Sequence, residues 1–258
     1  QAEPWLACPP GTGSVDLAWL DAERDNIRAA LEHTFAAGQH ELVATWCVLL
    51  WPYYEHGKHT ADLLATHQLG VGTTNQALRC LLLARIGFGH LFDGDTEAAI
   101  AACDQAVRLA TEPRLEATAL EGLGLALLAD NQDARPALRR NLELARQLNE
   151  PRRIALACLH AAKVETPSVA LALLDEAAPM FADDPVNQTK IQLWRGRKLL
   201  EQGELDQARE ALDAALRTPR PFDRAEALAT RGDLNIAMGR PEAARADHAT
   251  ARALLAEW

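Results

Sequence analysis

The chain has 258 residues and a formal net charge of -10, with 48% apolar, 5% aromatic and 24% charged residues. Ala, Leu, Arg and Glu are strong helix formers and dominate here, so the composition favours helices over sheets. The acidic balance argues against direct contact with nucleic acid, and no apolar run reaches the length of a membrane span.

The five cysteines are odd in number, lie far apart and include no C-x-x-C pair. This usage predicts reduced, buried thiols in a cytoplasmic protein rather than a disulfide framework or a zinc site. No signal peptide is visible. The sequence begins at Gln1 without an initiator Met, which suggests a fragment of a longer protein.

Residues 1–15 are predicted to be a flexible linker. The segment "GTGS" at 11–14 lacks the Lys of a phosphate-binding loop, and the pattern G-x-x-x-x-G-K-S/T occurs nowhere in the chain. We therefore expect no nucleotide hydrolysis by these residues.

Residues 16–75 are predicted to form a divergent, aromatic-rich helical cap. In "DLAWLDAERDNIRAALEHTFAAG", an apolar stripe runs from an expected N-cap, Asp16, to a stop at Gly38. The next helix, "ELVATWCVLLWPYYEHG", is apolar almost all round, so we expect it to be the most buried, with Pro52 ending or kinking it. "TADLLATHQLGVG" completes a further pair.

Two groups in the cap allow a functional interpretation beside a structural one. Trp46, Trp51 and Tyr54 either line a small-molecule pocket or form the enlarged core that ends a helical stack. A metal site could be built from the three histidines of this segment, although "EHGKH" is typical of a solvated helix end, which favours a structural role. The three histidines are His56, His59 and His67.

Residues 76–258 repeat one spacing of small residues. A Gly is followed after seven residues by a turn Gly, after five more by an Ala and after seven more by another Ala. Gly124 opens a further copy whose turn is about two residues shorter, and a degenerate pair follows it. The three full copies are Gly87–Gly94–Ala99–Ala106, Gly196–Gly203–Ala208–Ala215 and Gly232–Gly239–Ala244–Ala251.

This spacing predicts antiparallel helix pairs that approach closely at the small residues, while larger side chains fill the seam. The pairs are expected at approximately 76–112, 114–148, 151–182, 186–218 and 222–256. The pattern is that of tetratricopeptide (TPR) repeats, so the predicted fold class is an all-α, right-handed superhelical solenoid of antiparallel helix pairs. The alternative is an Ala-rich helical bundle with coincidental spacing.

The resemblance to TPR proteins implies a partner-binding groove lined by the first helix of each pair. Its apolar part is expected to dock a helix or strand. Its charged part either grips a charged peptide or forms ion pairs between neighbouring repeats. The expected groove residues are Leu81, Phe88, Leu91, Glu121, Leu125, Lys190, Arg197, Glu226 and Asp233.

The segments "WLDAERDNIRAAL", "LWPYYEHGKH" and "LLATH" resemble the start of the TPR region in actinobacterial antibiotic regulatory proteins (the SARP class) and related STAND-type NTPases. This resemblance implies a sensor or regulatory arm that follows DNA-binding and NTPase domains, both of which are missing from this chain. Its partner would be another protein, a peptide or those domains, with a small molecule as a further candidate effector. The alternatives are a free-standing scaffold and a small-molecule-sensing domain.

No catalytic, cofactor or metal-binding residues are predicted. The two serines, Ser14 and Ser168, do not lie in a G-x-S-x-G context, and no H-E-x-x-H helix occurs. We therefore expect an interaction domain and not an enzyme.

Overall fold

The computed structural model describes residues 16–256, so the predicted linker at 1–15 lies outside the described residues. This part of the chain contains fourteen α-helices, one 3₁₀ helix and no β-strand, which confirms the all-α prediction. The helices are α1 (Leu17–Ala22), α2 (Arg24–Ala36), α3 (His40–Gly57), α4 (Thr60–Gly70), α5 (Gln76–Phe92), α6 (Thr96–Leu109), α7 (Pro113–Ala129), α8 (Arg135–Leu148), α9 (Pro151–Ala162), α10 (Pro167–Ala177), α11 (Pro185–Gln202), α12 (Leu205–Ala215), α13 (Pro221–Ala237) and α14 (Pro241–Ala256), with the 3₁₀ helix at Ala178–Phe181.

The helices form two compact units, the first ending at Leu144 and the second beginning at Ala145. In the first unit, α3 packs on α4, α5 packs on α6, and each first helix also contacts the next one along the chain. In the second unit, α9 packs on α10, α11 on α12 and α13 on α14. None of the helices in the described part is long and apolar enough to cross a lipid bilayer.

Glycine sets the distance between the helices of a pair. At Gly196, an added Cβ would lie only 2.6 Å from Cγ of Leu212, so any larger residue would push α11 and α12 apart. The same arrangement recurs in three other pairs, where a mid-helix side chain of the second helix fills the space beside the glycine. The matching partners are Gly87 with Cys103, Gly124 with Leu138 and Gly232 with His248.

The turn that follows each of these first helices contains one residue in the left-handed region. Gly94, Gly203 and Gly239 have φ angles of 82°, 81° and 72°. In the copy that begins at Gly124, the equivalent residue is Asn131, with φ 57°. Asparagine tolerates this conformation better than most residues with a side chain, which explains why this turn needs no glycine.

The cap begins with a helix that is interrupted once. The Asp16 carboxylate accepts a hydrogen bond from the Ala18 amide at 2.9 Å, which confirms it as the N-cap, and Gly38 follows the helix with φ 75°. The single predicted helix is broken at Glu23 into α1 and α2.

Pro52 does not end α3, which continues to Gly57. Proline has no N–H to donate to the carbonyl four residues earlier, here that of Val48. The Arg85 guanidinium of α5 donates to this carbonyl instead, at 2.8 Å. Arg85 is only 7% exposed, so a buried charge from the next helix pair satisfies the helix at its proline.

The expectation that α3 is the most buried helix is wrong. Seven of its eighteen residues are buried, against ten of the seventeen in α5. One face of α3 remains open: α2 also packs on α3, yet Leu42, Trp46 and Leu49 are 44%, 49% and 45% exposed. The helix is apolar all round, yet only part of its surface is covered.

We predict that Gly196→Val destabilises the protein by about 1–3 kcal/mol, because overpacking a tight helix contact costs roughly that much. The measurement is urea unfolding followed by circular dichroism. Adding Leu212→Ala removes the atoms that the new side chain meets, so the double variant should be less destabilised than the sum of the single variants. Additive effects, or a Gly196→Val variant as stable as the parent, would contradict the close-approach explanation.

Candidate functional site

In the first unit, aromatic side chains of successive first helices meet. The rings of Trp51 on α3 and Phe88 on α5 lie 5.9 Å apart between centroids, at an interplanar angle of 55°. Phe88 extends towards α7, where an added Cβ on Gly122 would lie 3.3 Å from its ring. Both aromatic side chains are half-buried, so each keeps an exposed edge beside its packing contacts.

The structure gives the predicted groove residues of this unit different depths. Leu81 is 3% exposed and belongs to the hydrophobic core, so it cannot contact a partner without rearrangement. Leu91, Glu121 and Leu125 are half-buried like Phe88. Four of the five predicted residues therefore retain some accessible surface.

In the second unit, the predicted charged residues are largely occupied with one another. Arg197 on α11 donates to Glu226 on α13 at 3.3 Å and to the Thr230 hydroxyl at 3.1 Å. Asp233 lies 3.2 Å from Nε2 of His248, which also lies 3.1 Å from the Ala229 carbonyl. Because both of these partners are acceptors, Nε2 carries the proton and donates to them.

The interpretation of these charges as an ion pair between neighbouring repeats thus holds for Arg197 and Glu226. Both side chains are partly exposed, so the pair contributes little to stability. Lys190 lies half-buried on α11, one turn before Trp194.

Trp194 is a feature that the sequence analysis missed. The guanidinium of Arg197 lies 4.6 Å and the Lys163 ammonium 5.6 Å from its ring centroid. Cations near an aromatic face are attracted to it, so Trp194 brings together Arg197 of its own helix, α11, and Lys163, which directly follows α9. Its position beside Arg195 and Arg197 is the signal that could have indicated this role.

The three histidines of the cap do not come together. His56 is exposed at the end of α3, whereas the His59 ring contacts Asp21 at 3.1 Å and Arg24 at 3.0 Å. His67 is completely buried in α4. No group of three or more His, Cys, Asp or Glu residues within 16–256 could hold a metal ion.

The aromatic residues considered for a small-molecule pocket fall into two groups. Trp51 and Tyr54 both pack around the buried His67, with ring centroids 6.3 and 6.2 Å from its ring. Trp46 is exposed, so only two of the three residues share a common neighbour.

The buried thiols are unsuited to nucleophilic chemistry. Burial raises the pKa of Cys47, Cys103 and Cys158 to about 12, and that of Cys80 to about 11. A thiol attacks as the thiolate, and at neutral pH these four are protonated.

Two open clefts lie in the second unit, away from the predicted groove residues. One, of about 560 Å³, lies between the first half of α11 and the turn from α12 to α13. The other, of about 380 Å³, lies beside the ion pair of Arg195 and Asp175, whose atoms are 2.6 Å apart. Neither cleft includes Lys190, Arg197, Glu226 or Asp233 among its lining residues.

Solved structures with this arrangement of helices are TPR proteins. The nearly identical TPR-like repeats of a Podosopora anserina protein described as a putative kinesin light chain are 15% identical in sequence, with a TM-score of 0.53, over 72% of this chain and 98% of theirs. A variant of the same repeats is 16% identical with a TM-score of 0.54 over the same shares. A thermophilic TPR protein of Thermus thermophilus is 22% identical with a TM-score of 0.49, over 67% of this chain and 89% of that one.

No protein-family model matches the sequence, and no curated protein matches it significantly. The structural likeness, together with the recurring glycine contacts, establishes the fold as an all-α solenoid of TPR type.

We predict that the buried His67 makes the protein less stable as the pH falls. Burial, reinforced by the nearby Arg85 charge, lowers the pKa of His67 from 6.5 to about 3. The unfolded chain therefore takes up this proton below about pH 6.5 and the folded chain only near pH 3, so stability is lost across that window. At pH 5 the loss from this group is about 2 kcal/mol relative to pH 7.

The measurement is the free energy of unfolding by urea between pH 7 and pH 4.5, for the parent and for His67→Gln. The variant should show a shallower decline because its side chain does not titrate. His56→Gln, which changes an exposed histidine, serves as the matched control and should keep the slope of the parent. Equal slopes for all three proteins would disprove the role of His67.

Proposed function

We propose that this chain is a non-catalytic interaction domain that binds a protein or peptide along the first helices of its N-terminal unit. The observation that carries the proposal is the run of half-buried apolar and aromatic side chains there, namely Trp51, Phe88, Leu91 and Leu125, on successive helices of a TPR fold. Such a surface suits the apolar face of a helix or the side chains of an extended strand.

The charge distribution supports the first unit over the second as the binding surface. A partner that approached Arg197 or Asp233 would have to compete with Glu226 or His248, which already contact them. The apolar residues of the first unit need no exchange of partners, and covering them removes apolar surface from water.

We further propose that the domain is the regulatory arm of a cytoplasmic transcriptional activator of secondary metabolism. This finer proposal rests on the resemblance of "WLDAERDNIRAAL" and "LWPYYEHGKH" to the SARP and STAND regulators. In this arrangement the arm holds an NTPase domain of the same protein in one state until a partner or small ligand changes the balance. No specific observation favours the alternative of a small-molecule pocket in the cap, because Trp51 and Tyr54 pack around the buried His67 while Trp46 is exposed.

The test is to sequence the gene upstream of Gln1 and, where it encodes an NTPase region, to titrate that purified region into this chain by calorimetry. We expect saturable binding that Phe88→Ala and Leu125→Ala each weaken about tenfold, because apolar anchors dominate such interfaces. Circular dichroism melts verify that both variants remain folded.

Val169→Ala is the matched control, since Val169 is an exposed apolar residue on α10 of the second unit. It should leave the affinity unchanged. A gene without an NTPase region would overturn the regulatory proposal. Binding that is insensitive to both first-unit variants would overturn the assignment of the binding surface.

A further inference from the structure

Three basic side chains of the second unit lie around one tryptophan. Trp194 is half-buried on α11, with the Arg197 guanidinium 4.6 Å and the Lys163 ammonium 5.6 Å from its ring centroid. Lys190 lies one turn before Trp194 on the same helix. The chain has only four lysines, and two of them belong to this group. We call Lys163, Lys190, Trp194 and Arg197 the Trp194 cluster.

A buried histidine of α9 indicates the electrostatic potential beside the Trp194 cluster. Burial, together with the charges of Lys163 and Lys190, holds the pKa of His160 well below 6.5. One of these lysines directly follows α9 and the other lies on α11, the next first helix along the chain. The two ammonium groups therefore act on the same place, where they create a positive potential.

Acidic side chains offset this charge only in part. Arg197 contacts Glu226 at 3.3 Å, but Lys190 makes no hydrogen bond or ion pair with any residue between 16 and 256. Lys198 of the same helix differs, since it is buried and its ammonium lies 3.1 Å from the Glu201 carboxylate. Like charges that are held close together repel, and an anion that binds beside them relieves this repulsion.

We propose that the Trp194 cluster binds the side-chain carboxylates of an acidic peptide segment. Each ammonium group offers up to three donors, and hydrogen bonds between an ammonium and a carboxylate are about twice as strong as neutral ones. A carboxylate reaches Lys190 without displacing another partner, while Arg197 keeps its contact with Glu226. The attraction of Trp194 for its two neighbouring cations keeps them beside Lys190.

The layout of the cluster favours an extended peptide over a small anion. Its cations come from two neighbouring first helices, which contact each other in the second unit. None of its four residues lines either of the two clefts described above. A peptide with several carboxylates reaches all three cations at once, which a single small anion on an open surface does not.

This site is independent of the apolar surface proposed above for partner binding. The Trp194 cluster lies entirely in the second unit, whereas Phe88 and Leu125 lie in the first. Because the two surfaces share no residue, the failure of one proposal leaves the other unaffected.

The test is fluorescence anisotropy of a fluorescein-labelled octaglutamate peptide, amidated at its C-terminus and titrated with the full chain in about 50 mM salt. We expect saturable binding with a dissociation constant below about 0.5 mM, and none by the equally labelled octaglutamine. Lys190→Ala and Lys163→Ala should each weaken binding about fivefold, whereas Lys190→Arg should largely retain it. Arg252→Ala removes an equal charge from the exposed side of α14 and should leave the affinity unchanged. Circular dichroism melts verify that the variants remain folded.

Carbodiimide coupling maps the site in the unaltered chain. The reagent activates a peptide carboxylate, a lysine amine displaces it to form an amide, and the reagent leaves as its urea. Mass spectrometry should find the peptide on Lys163 or Lys190 rather than on Lys58, which is exposed at the end of α3.

Four results would each overturn the proposal. They are equal binding of octaglutamine, no binding up to about 0.5 mM, a Lys190→Ala variant that binds as well as Arg252→Ala, and coupling mainly at Lys58. A thymidine oligonucleotide of the same length that displaces the peptide at lower concentration would also overturn it, because the cluster would then be a site for nucleic acid.

Discussion

The distance between the two helices of a pair is the constraint on which the rest of this structure depends. A helix backbone can be approached closely only where a side chain is missing, and at four first helices a glycine provides that opening for a side chain of the second helix. Seven residues after each of these glycines, one residue adopts the left-handed conformation. The turn requires it because the chain must reverse its direction within a few residues to bring the second helix back.

The parts of the fold that depend on this constraint could be predicted from the sequence, because glycine and alanine spacing records it directly. The contact between α3 and α4 could not be predicted from this spacing, because it uses a glycine at a different position. The left-handed residue after α3 is Lys58, and the position seven residues before it, where other first helices have glycine, is Trp51. The close approach falls instead on the second helix at Gly70, beside Cys47 and Leu82. A spacing search cannot find a contact whose glycine has moved to the other helix.

The candidate site was predictable to a smaller extent. The positions that face the groove in TPR proteins indicate which side of a first helix faces a groove here. They do not indicate how deeply the neighbouring helix buries each side chain, because that depends on the sizes of other side chains. Leu81 is buried, whereas Phe88 is half-buried, although both were placed on the groove side. The pairing of Arg197 with Glu226 joins residues 29 positions apart, and the cations around Trp194 come from two different segments of the chain. Such contacts arise only when the repeats are stacked.

The bond between Arg85 and the Val48 carbonyl has a consequence for how the chain can be divided. Proline at 52 withholds a backbone donor from α3, and the first helix of the following pair supplies it with a buried charge. Separating the two helices would leave a carbonyl without this donor and take a guanidinium away from its acceptor, in an apolar setting, which is costly. We therefore expect the cap and the first repeat to unfold together, and a fragment that begins at α5 to expose an arginine that the intact chain keeps covered.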